Sequence, residues 1–284
     1  MTIQETQANA AVTVTTPSAR LFAPETFYYT FVRATKSELH KLTASIAFWL
    51  TGGAAVLIAF GIGAMWMALA EMFGEGSVGK FDPSFVTGTW DTYALFLIPL
   101  GVLAVSSEYS RNTMRTTVLS VPSRPIAFAA KMTAIFIYCG TLALAIILAN
   151  FASVMIFVDT TGFVPHSLRA LFVCWLVLTT FALGSAGLAY LMRSTALPIV
   201  LLIVILEFVS IVALVPNETV REIASTVLPT YVGHTAMQSG SDSIITIMLG
   251  IDNDLSWGEA LAIWLGYMAA LVAGGFARFV KSDV

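Results

Sequence analysis

Between Lys41 and Glu71 the chain carries no charged residue. That run exceeds the about 20 residues an α-helix needs to cross the about 30 Å hydrocarbon core of a bilayer. Further apolar runs occupy residues 91–107, 132–158, 170–192, 196–215 and 260–277, and the only charge deep inside any of them is Glu207. Charged residues make up 11% of the chain, hydrophobic residues 57%, and the mean hydropathy is +0.84. Soluble domains are about one quarter charged, so this chain lacks the charge to cover a water-facing surface. The expected fold class is all-α, a polytopic membrane protein with six transmembrane helices.

A net charge of −3 and a pI near 5.6 argue against a nucleic-acid partner, which requires a basic stripe. Cys139 and Cys174 both fall inside apolar runs and read as small core residues rather than a disulfide or metal pair. The three histidines, His40, His166 and His234, have no metal-ligand spacing, so no metal site is expected. Gly74 to Lys80 resembles a phosphate-binding loop, but Phe81 stands where Ser or Thr would hold magnesium. No strand precedes it, so it reads as a plain loop.

Residues 1–24 lack a basic start and an apolar centre, and read as a disordered cytoplasmic tail rather than a signal peptide. Residues 25–284 form one membrane domain, opening with an interfacial helix over 25–44. There Tyr28, Val32, Thr35, Leu39, Leu42 and Ile46 form one helical face, while Arg33, Lys36, His40 and Lys41 lie off it. An aromatic and basic amphipathic helix before a span suits the bilayer interface. In span 1, about 45–70, Thr51, Ala55, Ala59 and Gly63 make a small-residue ridge, suited to an internal helix contact or to a second copy.

With the amino terminus inside, eleven Lys and Arg fall on the inner side and three (Lys80, Arg169, Arg221) outside. The positive-inside rule then puts both termini in the cytoplasm of a cell-membrane protein. The outer segment, 216–258, is too long for a simple turn. Asn217 can cap a helix with an apolar face of Val220, Ile223, Ala224, Val227 and Leu228, stopped by Pro229. It reads equally as a lid over an exit path or as a packed connection.

Four of the fourteen basic residues (Arg111, Arg115, Arg124, Lys131) crowd into the inner stretch from Glu108 to Lys131. Within it, residues 111–119 can form a short helix with Met114, Val118 and Leu119 on one side, closed by Pro122 and Pro125. Arginines beside a small apolar patch suit docking to a cytoplasmic partner, and composition alone suits contact with lipid headgroups.

The pattern Glu108-Tyr109-Ser-x-x-Thr113-x-Arg115-Thr-Thr-x-Leu119-x-x-Pro122-x-Arg124, continued by Lys131, resembles the intracellular loop of type-2 ABC transporter permeases. Ser37-Glu38-Leu39-x-Lys41-Leu42 resembles their leading helix, notably in actinobacterial members, and Leu228-Pro229-Thr-Tyr231 with Gly233 resembles their outer segment. Tyr267 to Arg278 is similar to their last helix, so the likeness covers residues 30–284. Asn112 stands where that family usually has Gly.

The resemblance implies a six-span permease subunit that pairs with an identical or paralogous second subunit. It implies an intracellular coupling helix built from Glu108, Arg111, Thr113, Met114, Arg115, Leu119, Pro122 and Arg124. An interfacial helix with Arg33, Lys36, Glu38 and Lys41 would lie beside it. Two copies of a separate ABC ATP-binding subunit would bind ATP and magnesium, and this chain itself would be no enzyme and hold no cofactor. The exported substrate would be drug-, peptide- or lipid-like.

Glu207, inside span 5, reads as a pathway group facing a polar or cationic substrate, as a participant in proton coupling, or as a neutral hydrogen-bonded packing group. A secondary transporter, or a membrane-embedded enzyme or scaffold without an ATPase, is the alternative. No GxSxG, HExxH or inverted repeat favours it.

Overall fold

The computed structural model describes residues 24–73, 83–110, 123–157, 165–208, 217–237 and 255–281, and all regular structure among them is helical. Helix α1 spans Pro24–Ala44 and α2 Ile46–Phe73. A 3-10 helix, Pro83–Thr89, leads into α3, Trp90–Ser110. Then come α4, Arg124–Phe157, and α5, Pro165–Met192. Helix α6, Ala196–Ile203, continues as a π-helix over Val204–Phe208. Two short helices follow, α7, Glu218–Val227, and α8, Pro229–Met237, and α9, Trp257–Lys281, completes the described chain. The tail 1–23, residues 74–82, most of the basic stretch from Glu108 to Lys131 (111–122), and residues 158–164, 209–216 and 238–254 lie outside the described residues.

Among the described residues five stretches are long and apolar enough to cross a membrane: Ile46–Leu69, Pro83–Ser110, Arg124–Ile156, Pro165–Met192 and Trp257–Lys281. The chain is therefore a multi-pass, membrane-embedded protein. The sixth expected span, 196–215, is described only to Phe208. The described part is eight α-helical and five π-helical residues, Ala196–Phe208.

Helices run past the charges that end the apolar runs. Helix α3 continues through Glu108 to Ser110, and α4 begins at Arg124, which puts Lys131 two turns inside it. Backbone hydrogen bonding does not stop at a charge, and a charge inside a helix needs only a partner to stay there. Helix α9 starts at Trp257 because Ser256 and Glu259 form a capping box: the Glu259 amide donates to Ser256 Oγ at 3.3 Å and the Ser256 amide to Glu259 Oε2 at 2.9 Å. Pro125 sits in the first turn of α4, where its missing N–H leaves no gap.

Packing centres on α5, which lies against α3, α4 and α9. Between α5 and α9 the backbones touch: a β-carbon on Gly187 would sit 2.6 Å from the Leu271 carbonyl oxygen, and one on Gly275 would sit 2.5 Å from that of Gly187. In a bilayer, where lipid is as apolar as leucine, such close approach replaces the hydrophobic drive of soluble cores. The small-residue ridge of α2 resolves as an internal contact, since Ala55, Ala59 and Gly63 are buried against α4. Polar bonds add to this packing. Tyr138 Oη donates to the Phe48 carbonyl at 2.8 Å, and Trp175 Nε1 to that of Gly140 at 2.8 Å. The Tyr93 hydroxyl accepts from Thr89 Oγ1 at 2.8 Å and also from Asn150 Nδ2.

Gly187→Ala forces its methyl against a main-chain carbonyl that cannot move alone. A loss on the order of 1–3 kcal/mol is expected, read as a lower thermal midpoint of the detergent-solubilised protein. Gly61→Ala, with nothing within 4 Å of the added carbon, should leave the midpoint unchanged.

Candidate functional site

Four charged side chains meet at the end of the bundle where α1 joins α3 and α4. Lys131 Nζ lies 2.9 Å from Glu38 Oε2 and 2.6 Å from Glu108 Oε1. Lys41 Nζ lies 2.5 Å from Glu38 Oε1 and 3.0 Å from Glu108 Oε1. Each carboxylate thus bridges both ammonium groups, and the four charges cancel. Glu38, Glu108 and Lys131 are only 7%, 6% and 3% exposed. Lys131 spends its third N–H on the Ala104 carbonyl at 3.3 Å, so all three of its donors are used. Burial alone would raise the Glu38 carboxyl, but Lys131 and Lys41 outweigh it and hold the group below its ordinary value of 4.5. Burial would likewise lower the Lys41 ammonium, and Glu38 and Glu108 together hold it above 10.5.

The helix faces that deliver these groups differ from the expected stripe. On α1 the buried positions are Thr35, Glu38 and Leu42, with Leu39 partly buried, while Tyr28, and Ile46 at the start of α2, are exposed. The buried face is turned toward Glu38 because paired charge there is less costly than Glu38 facing lipid alone. Arg33 and Lys36 point outward. Arg124 does not join the cluster; its Nη1 donates to the Val280 carbonyl at 3.1 Å, holding the C-terminal end of α9. Arg111, Thr113, Met114, Arg115, Leu119 and Pro122 lie outside the described residues. Sequence reasoning left Lys131 out of the site. Its signal was a lysine two turns inside an apolar helix, which requires a buried acid.

Around the cluster lies a layer of aromatic rings. Tyr190 packs on Tyr109, Phe128 and Phe279 with centroid separations of 6.2, 5.0 and 5.2 Å. These contacts join α3, α4, α5 and α9 at the same end. At the opposite end, α8 is inserted into the bundle with Thr230 to Met237 all buried. His234 packs edge-on to Trp90 at 5.7 Å, and Trp90 in turn meets Trp264 at 5.3 Å. Asn217 caps α7 as expected, accepting from the Val220 amide at 3.3 Å. Of the expected apolar face of α7, however, only Ala224 is buried, and Ile223 and Val227 are exposed.

Glu207 lies in the π-helical turn, partly exposed, between buried Leu206 and exposed Phe208. The Leu206 carbonyl accepts from Thr230 Oγ1 at 2.6 Å, which ties this irregular turn to the inserted helix. Cys139 and Cys174 are buried and free. Among the described residues no group of three His, Cys, Asp or Glu side chains is placed to hold a metal ion.

No protein-family model and no curated protein matches the chain.

Removing one member of the cluster strands buried charge. Lys131→Met should cost about 3–5 kcal/mol, whereas the triple variant Glu38→Met, Glu108→Met, Lys131→Met should recover most of it, because Lys41 is 46% exposed and can turn to water. Thermal unfolding of the purified variants checks both. The cluster also sets a pH window. The lowered Glu38 value contributes stability above 4.5 that is lost as pH falls through it, and the raised Lys41 value contributes stability below 10.5 that is lost as pH rises through it. The difference in thermal midpoint between wild type and the triple variant should hold between those limits and change outside them.

Proposed function

We propose that this chain is the six-span membrane subunit of an ATP-driven exporter of the type-2 ABC class, working with a separate ATP-binding subunit. One observation carries the reading. Glu108 and Lys131 stand on either side of segment 111–122, and both are clamped to α1 through Glu38 and Lys41. A force applied to that segment at either end is therefore delivered to α1, α3 and α4 as one unit. A basic surface loop touching only lipid headgroups has no need of such anchoring.

In this mechanism the ATP-binding subunit docks on Arg111, Thr113, Met114, Arg115, Leu119 and Pro122 from the cytoplasmic side. Closure of two such subunits on ATP pushes the segment, and the neutral cluster transmits the displacement without breaking, since each lysine holds two carboxylates. Two copies of the chain, or this chain and a paralogue, move against each other and change access to a path for a drug-, peptide- or lipid-like substrate. The ATP and magnesium belong to the partner.

The direct test is isolation of the tagged chain from its own host, followed by assay for ATP hydrolysis. An ATPase should co-purify in a ratio of one per permease chain, and Arg115→Glu or Thr113→Asp should release it while leaving the membrane subunit folded. A chain that transports without any ATPase would overturn the reading. Glu207→Gln should reduce export while leaving the ATPase bound; equal loss of assembly would assign Glu207 to packing.

A further inference from the structure

At the basic end the two carboxylates Glu38 and Glu108 are consumed by Lys41 and Lys131. The four charges of the cluster cancel. Arg193, where α5 ends, and Arg278, in the last turn of α9, are both exposed. Among the described residues no carboxylate lies within ion-pair distance of either one.

The two arginines belong together. Leu191 fills the space in front of Gly274, 3.2 Å from where a β-carbon would stand. Arg193 lies just beyond Leu191, and Arg278 is one turn beyond Gly274 on the same face of α9. The Arg193 guanidinium sits 5.9 Å from the centre of the Tyr109 ring, and both arginines act electrostatically on that tyrosine's hydroxyl. Arg193 also has φ 51°, the only positive value among the described non-glycine residues. At the end of a helix that conformation usually belongs to Gly or Asn, and strained backbone of this kind concentrates at working sites. Helix α6 begins three residues later, and its exposed Leu197 and Val200 carry an apolar surface away from Arg193.

We propose that Arg193 and Arg278 bind the phosphate of an anionic phospholipid headgroup, whose acyl chains lie along Leu197 and Val200. The Arg193 guanidinium over the Tyr109 ring, with Arg278 acting on the same tyrosine, supplies planar donors for phosphate oxygens. Their position at the ends of two membrane-spanning helices favours a lipid over a soluble anion. The site rests on the membrane-embedded fold and not on the transport reading.

Native mass spectrometry of the full chain released from nanodiscs, with phosphatidylglycerol diluted into phosphatidylcholine, tests the proposal. Wild type should retain phosphatidylglycerol selectively. Arg193→Gly and Arg278→Gln should each weaken retention about fivefold, and the double variant about 25-fold, at low ionic strength. Arg193→Gly is the stringent variant, because glycine relieves the backbone at that position, so retention falls while the thermal midpoint holds or rises. Unchanged phosphatidylglycerol retention in both variants would overturn the proposal. So would displacement of the lipid by millimolar inorganic phosphate, which would assign the arginines to a soluble anion. Loss of a bound protein rather than lipid in the double variant would also overturn it.

Discussion

Charge cannot stand alone at the edge of a hydrocarbon layer, and the arrangement at the basic end follows from that constraint. Glu38, Lys41, Glu108 and Lys131 come from three helices, and the buried Glu38, Glu108 and Lys131 each need an opposite charge to stay where they are. Their mutual neutralisation lets α3 run through Glu108 and lets α4 start two turns before Lys131. It also fixes the register of α1 against both. A hydrophobic replacement of similar volume could hold the helices as firmly, so the cluster specifies which faces meet more than it adds net stability.

The rest of the bundle is held by fit. Helix α5 meets α3, α4 and α9, and its contact with α9 brings glycine onto glycine. Aromatic rings brace both ends, with Tyr190 and its neighbours near the charge cluster and Trp90, Trp264 and His234 around the inserted helix α8. Between these braces lie few polar bonds, such as the pair accepted by Tyr93. Among the described residues, irregular backbone includes the π-helical turn at Glu207 and the left-handed Arg193.

Much of the architecture was legible because bilayer thickness imposes a length on each apolar run. Five spans appear where uncharged runs predict them, and Asn217 and Pro229 bound α7 as their chemistry requires. The span limits were less legible, because a run ends at a charge and a helix does not. The candidate site was half legible. Glu38, Lys41 and Glu108 stood out individually, but their meeting joins positions up to 93 residues apart, Glu38 and Lys131, and no local pattern carries that. Amphipathic spacing on α1 even pointed to a slightly different face, since it counts Glu38 as polar and therefore exposed.

The sequence by itself determined the solvent of this protein and the alternation of helices and connections. Hydropathy and helix length are properties of contiguous residues, and the bilayer reads them directly. Tertiary structure alone decided which charges are neutralised and which are left over. Lys131 and Arg124 lie in the same basic stretch, yet Lys131 is buried between two carboxylates and Arg124 holds the far end of α9. The physical reason is that a charge's role depends on its distance to the opposite charge, and in this chain that distance is set by the packing of α1, α3 and α4.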